Sequence, residues 1–212
     1  MRKPGVQSLV VAGIVVVLFT GSAAGDDRNN LLRGDYAFSG EATCLGSRNL
    51  SESAPGGFDE DLTPVTPPFP FVLSYSIQGV RTFNGDGTGK VVGRTVSFSH
   101  PYALPSNPAY FNPGGASSSD IEADFTYEVA PDRTLTIEQP LSLGTVLTGT
   151  RAGQTFRLEN VRFIGLMRRD GKTLTIASGE PTVETHTFFA ADNPVFVRAQ
   201  ICHRARMLFK LR

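Results

Sequence analysis

Ile121-Glu122-Ala123-Asp124-Phe125-Thr126-Tyr127-Glu128-Val129 puts an apolar side chain at every odd position and a polar one at every even position. A period of two is the signature of a β-strand with one face buried and one face wet. Phe69, Phe71, Leu73, Tyr75 and Ile77 repeat the alternation against Ser74, Ser76 and Gln78, and shorter copies occur at Leu135/Ile137 and Leu174/Ile176. No window carries a capped helical stripe. The pattern predicts strands over 34–43, 69–83, 88–99, 119–130, 134–140, 143–149, 154–168, 173–178, 181–189 and 194–209. Within 154–168 the phase changes, because Phe156 and Leu158 lie on one parity and Val161 and Phe163 on the other. A bulge near Asn160 keeps both pairs inside.

Tight-turn chemistry at Asn84-Gly85-Asp86-Gly87, Pro131-Asp132-Arg133 and Arg169-Asp170-Gly171-Lys172 separates these runs and makes consecutive strands antiparallel neighbours. A meander of eight to ten strands leaves two open edges unless it closes or splits into a sandwich. The cysteines favour closure. Cys44 follows the first strand and Cys202 lies in the last, so a bond between them joins the two edges and closes a loop of 158 residues. The ends are also complementary in charge: residues 25–62 hold eight acids and three bases, whereas 193–212 hold five bases and no acid. The fold class expected is all-β, an antiparallel up-and-down meander closed into a soluble barrel with its first and last strands joined by a disulfide. A membrane barrel requires an apolar outward face, and Glu122, Asp124 and Glu128 occupy that face on the clearest strand.

The first residues read as a targeting segment. Arg2 and Lys3 precede an apolar run from Leu9 to Phe19, and Gly21, Ser22, Ala23 and Ala24 supply the small residues of a cleavage site. The competing reading is an uncleaved anchor, for which an 11-residue core is short against the roughly 20 that a span needs. The organisation expected is a signal peptide over 1–24 and one β-barrel domain over 25–212, secreted or periplasmic, with no integral membrane span after cleavage.

Twenty bases balance twenty acids among the 212 residues, which removes the basic excess a nucleic-acid partner demands. His100, His186 and His203 are too scattered for a zinc site, so no metal and no cofactor is expected. Asn84 to Gly89 is oxygen-rich enough to suggest a calcium loop, but it sits where a hairpin turn is required and lacks the distal Glu. Nucleophilic catalysis is unsupported, since there is neither a Gly-x-Ser-x-Gly elbow nor a glycine-rich phosphate loop. Asn49-Leu50-Ser51 matches the glycosylation pattern, which matters only in a eukaryotic source.

Two connections exceed hairpin length, Leu45 to Pro68 and His100 to Ser118, and alternation of strand direction puts both at one mouth of the barrel. Tyr110 and Phe111 in the second are candidates for a ligand-covering contact. Arg94 shares its parity with Val92, Val96 and Phe98, while Glu184 and His186 share theirs with Phe188. All three are therefore expected inside, either as an Arg94–Glu184 ion pair with a neutral His186 or as a ligand-anchoring or acid–base cluster. Tyr36, Phe38, Tyr75, Phe98, Phe125 and Tyr127 are the expected lining.

Gly34-Asp35-Tyr36-Ala37-Phe38-Ser39-Gly40, Gly79 to Gly87, Pro181-Thr182-Val183-Glu184-Thr185 and Ile201-Cys202-His203-Arg204, behind a signal peptide, resemble a group of bacterial exported proteins. That resemblance implies export and no particular activity. In architecture the chain also resembles calycins such as lipocalins, with Gly34-Asp35-Tyr36 near their Gly-x-Trp, and no ligand residue carries over from them. Three functions fit these readings. The first is binding of a small apolar ligand inside the barrel. The second is a structural or surface-interaction role for a filled barrel, and the third an isomerase or cyclase using Glu184 and His186.

Overall fold

A computed structural model describes residues 28–48, 56–65, 69–104 and 107–212. The expected signal peptide, the start near Gly25 and the sequon at Asn49 lie outside the described residues. After a short 3-10 turn at Arg28–Leu31 the chain runs through β1 (Arg33–Arg48), β2 (Phe69–Asn84), β3 (Thr88–Ser99), β4 (Tyr102–Leu104), β5 (Asn107–Asn112), β6 (Gly115–Val129), β7 (Thr134–Val146), β8 (Thr155–Met167), β9 (Thr173–Ala177), β10 (Val183–Ala190) and β11 (Asn193–Lys210). Strands β1, β2, β3, β6, β7 and β8 pair in that order, each antiparallel to the next. The circuit closes because β11 pairs with β1. Between β8 and β11 a single position is shared by two short strands: β10 pairs with the first half of each and β9 with the second. The result is a closed antiparallel barrel of eight strand positions, as the alternating pattern predicts.

Cys44 and Cys202 stand directly opposite each other on β1 and β11 and form the expected disulfide, with their Cα atoms 4.0 Å apart. It staples the seam at which the meander closes. The phase change in β8 is as expected, since Phe156, Leu158, Val161 and Phe163 are all buried, but it is not a bulge: Asn160 takes a left-handed backbone (φ 66°) while the β7–β8 register runs unbroken past it, because β7 changes parity at the same level. Two strand expectations are corrected. Residues 134–146 form one strand, whose inward parity switches from Gln139 to Ser142 opposite Asn160, so the irregularity at Pro140 is a local shift within β7. The connection 100–118 is not wholly a loop, since it contains the β4–β5 hairpin and the first residues of β6.

The interior divides along the barrel axis. At the end closed by the 84–88, 130–134 and 168–173 turns, Phe83 meets Tyr36, Phe125 and Tyr127 edge-on, with ring centroids 5.3, 5.3 and 5.0 Å away. Leu32, Leu135, Leu174 and Leu208 fill the space around them. Tyr127 donates its hydroxyl to the Leu32 carbonyl (2.9 Å), which ties the 3-10 turn across this end. At the opposite end large side chains give way to Thr95, Ser97, Ser117 and Ser119 on β3 and β6, and the barrel is hollow. Where rings do reach across, glycines receive them: a Cβ at Gly144 would collide with the ring of Phe156, its cross-strand partner.

Candidate functional site

The hollow half encloses a cavity of about 710 Å³ that reaches the ends of β1, β3, β6 and β8 on the side bearing the long connections. Phe71, Ile121, Phe156, Leu158, Phe188 and Phe196 supply its apolar wall. Gln139, His186, Arg198, Gln200, Arg204 and Arg206 supply polar groups, and no Asp or Glu lines it among the described residues.

These polar groups come largely from β11. Arg198, Gln200, Cys202, Arg204, Arg206 and Leu208 alternate along that strand, and the burial of Cys202, Arg204 and Leu208 shows that this parity faces inward. Arg204 and Glu184, 2% and 1% exposed, form a bidentate ion pair in which Arg204 donates from NH1 to Oε1 and from NH2 to Oε2 (2.6 Å for the latter). Arg204 Nε donates to the Tyr75 hydroxyl (2.7 Å), and Gln200 Nε2 donates to Glu184 Oε2 (3.2 Å). Burial opposes charge on Arg204, but Tyr75 and Glu184 outweigh it and hold its pKa above the ordinary arginine value.

Deeper, at the boundary with the packed half, Arg81 donates to Gln139 Oε1 (3.1 Å), and Gln139 Nε2 donates in turn to Ser142 Oγ (2.6 Å). Arg81 lies 4.3 Å over the Phe125 ring, and Arg206 lies 4.6 Å over that of Phe163. Burial brings Arg206 down to about 10, while burial and the neighbouring Arg206 charge push Arg81 well below its usual value. Nearer the mouth, Arg198 NH2 donates to His186 Nδ1 (2.8 Å). His186 Nδ1 is thus the acceptor, and its ring proton sits on Nε2. Burial first and the Arg198 charge second hold His186 well below 6.5, so the imidazole is neutral. Arg198 is itself lowered to about 9 by burial and by Arg151. Arg81 NH1, His186 Nε2, Arg198 Nε and Arg206 Nε are buried without a hydrogen-bond acceptor, and Gln200 Oε1 without a donor.

Glu184 and His186 therefore face the interior, as their parity predicts. Arg94 does not. It is exposed and forms a two-point pair with Asp120 on the outer surface (2.7 and 3.0 Å), so the expected Arg94–Glu184 contact is replaced by Arg204–Glu184. The same correction applies to Phe98, which is 54% exposed. The physical reason is that β3 turns Gly89, Val91, Gly93, Thr95 and Ser97 inward, leaving its apolar parity of Val92, Val96 and Phe98 outside. Of the other expected lining residues, Tyr75 borders the cavity, whereas Tyr36, Phe38, Phe125 and Tyr127 are buried in the core. Tyr110 and Phe111 belong to β5, and their side chains lie outside the described residues.

Arg81, Gln139, Arg198, Gln200, Arg204 and Arg206 are site residues that the parity argument passed over. A signal was present in β11, where Cys202 and Leu208 share the parity of Arg198, Arg204 and Arg206 and cysteine and leucine are more often buried than exposed. It was present in β2 also, since Arg81 continues the inward series Phe71, Leu73, Tyr75 and Ile77.

Chemically, the arrangement offers a cationic, donor-rich inner surface beside an apolar wall. Glu184 has both oxygens engaged, which leaves it a structural counter-ion rather than a free acid or base. No group of three or more His, Cys, Asp or Glu among the described residues is placed to hold a metal ion. No protein-family profile and no curated protein matches the chain. Among solved structures, the enduracididine biosynthesis enzyme MppR, complexed with the condensation product of pyruvate and imidazole 4-carboxaldehyde, is similar over 97% of this chain and 96% of that one. The identity is 9% and the TM-score 0.24, a likeness too slight to carry an argument.

Proposed function

We propose that the protein is an exported β-barrel that holds a small, largely apolar molecule in the hollow half of its interior. The observation that carries this reading is the cavity: about 710 Å³ against the roughly 300 Å³ at which ligand sites begin, with an aromatic and aliphatic wall and a few convergent polar groups. A barrel serving only as a scaffold has no use for this volume, because filling it with side chains would add burial and dispersion at no cost in shape.

Export is supported by the signal-like first residues and by the Cys44–Cys202 bond, which persists in an oxidising compartment. An aqueous exterior is supported by the outward ion pairs Lys90–Glu122, Arg94–Asp120 and Arg162–Glu180. No helix among the described residues is long and apolar enough to cross a membrane. The test is native mass spectrometry of protein purified from its own host. A retained small molecule, released on collisional activation, supports the reading; a bare polypeptide mass under conditions that preserve the fold counts against it.

A further inference from the structure

We propose that the ligand is an organic oxyanion, an apolar body carrying a carboxylate or equivalent group, and that Arg206 receives its charge at the inner end of the cavity with Arg81 behind it. This inference rests on the reading that the cavity holds a ligand and adds which chemistry it selects.

The first observation is a charge imbalance. Arg81, Arg204 and Arg206 place their guanidinium carbons 5.5, 6.0 and 4.6 Å from the centroid of one ring, Phe163. Glu184 is the sole buried carboxylate among the described residues, and it is committed to Arg204 and Gln200. The other two have no carboxylate of their own: Arg81 has aromatic faces and the Gln139 amide oxygen, and Arg206 has the Phe163 and Phe38 rings, the Tyr75 hydroxyl and only a share of the Glu184 charge. Rings attract guanidinium groups, but far less than a carboxylate does in a desolvated site. A buried charge without a counter-ion is costly, and an anion entering the cavity would remove that cost.

The second observation is hydrogen-bonding capacity. Arg206 lines the cavity, and its Nε–H is buried with no acceptor; Arg81 NH1 is in the same condition. Buried arginine N–H groups are ordinarily satisfied, so the Arg206 Nε–H at the wall of an open cavity is a donor available to an entering acceptor, with the Arg81 charge behind it. The third observation is the direction of the cavity. With an oxyanion at Arg206, the apolar body extends toward the mouth along Ile121, Leu158, Phe156, Phe188, Phe196 and Phe71. A neutral apolar ligand would leave the arginines as they are, desolvated still further.

The test is fluorescence titration of the mature, disulfide-bonded protein with two probes of one shape, 1-pyrenebutyrate and 1-pyrenebutanol. A charge-assisted hydrogen bond predicts that the acid binds at least about tenfold more tightly than the alcohol. In Arg206→Gln the acid should fall to the affinity of the alcohol, while Arg206→Lys should keep part of the preference. Should Arg206→Gln not fold, the comparison of acid with alcohol on the unaltered protein stands by itself. Equal binding of the two probes would overturn the oxyanion inference and leave the cavity reading standing; failure of both to bind would overturn both. A preference for the acid that survives in Arg206→Gln but vanishes in Arg198→Gln would overturn the placement at Arg206.

Discussion

Glu184 pairs with Arg204 where both side chains are almost fully buried, and that makes its charge a structural necessity. Removing one partner of a buried pair leaves the other charge uncompensated, so Glu184→Gln should lower the stability of the barrel by about 3 kcal/mol or more. Denaturant unfolding checks this, and the double variant Glu184→Leu with Arg204→Leu should recover much of the loss, because no buried charge is then orphaned. His186 gives a second expectation at this scale. Burial and Arg198 hold its folded pKa well below 6.5. The unfolded chain therefore binds more protons than the folded one below about pH 6.5, and stability should decline as the pH is lowered from 7 toward 5, with a slope of at most about 1.4 kcal/mol per pH unit from this group. His186→Gln should flatten that slope; an unchanged profile would mean that His186 titrates alike in the folded and unfolded states.

Two elements hold the barrel closed and in register. The first is the β1–β11 seam. Pairing from Tyr36 with Lys210 to Ser47 with Ala199 is long, yet it joins segments at opposite ends of the chain, and the Cys44–Cys202 bond removes the entropy of a 158-residue loop from the unfolded state. The chain-entropy model gives about 5 kcal/mol for a loop of this length, so replacing both cysteines by Ala should lower stability by several kcal/mol. Thermal unfolding of the double variant against the oxidised protein measures it. The second is the left-handed residue at Asn160 in β8. Asn160 sits at φ 66°, where a residue with an ordinary side chain pays about 1–2 kcal/mol, so Asn160→Ala should destabilise and Asn160→Gly should not. The phase change was legible in the sequence because Phe156/Leu158 and Val161/Phe163 lie on opposite parities and all four are apolar. The matching shift at Pro140 in β7 was not, since Gln139 and Ser142 on its two sides are polar and carry no hydrophobic phase to read. Arg94 failed for a related reason. Its strand turns Gly89, Gly93, Thr95 and Ser97 inward, small residues that leave room for cavity and neighbouring rings, and hydrophobic parity then points the wrong way.

Across the whole molecule, closure followed from pattern while hollowness did not. Alternation, hairpin turns and a cysteine near each end dictate a closed antiparallel meander, because each is a local rule or a two-point constraint. Whether the interior is filled depends on the sum of side-chain volumes at each level along the axis. That sum is decided by register: aromatics converge at the level of Phe83, whereas Ser97, Ser117 and Ser119 gather at the other end. The cationic inner surface was hidden too, since the basic run from Arg198 to Arg212 reads equally well as a solvated strand face, and only the fold shows Arg204 and Arg206 buried. The central claim is that the hollow half is a binding site, and the most direct test is to obstruct it. Ser97 faces the cavity from β3 close to the strand's end, and Ser97→Trp would put an indole into its outer part and obstruct entry without touching the aromatic packing around Phe83. Titration with an apolar fluorescent probe should show saturable binding to the unaltered protein and its loss in a folded Ser97→Trp variant; no binding to the unaltered protein, or binding that Ser97→Trp leaves intact, would contradict the account.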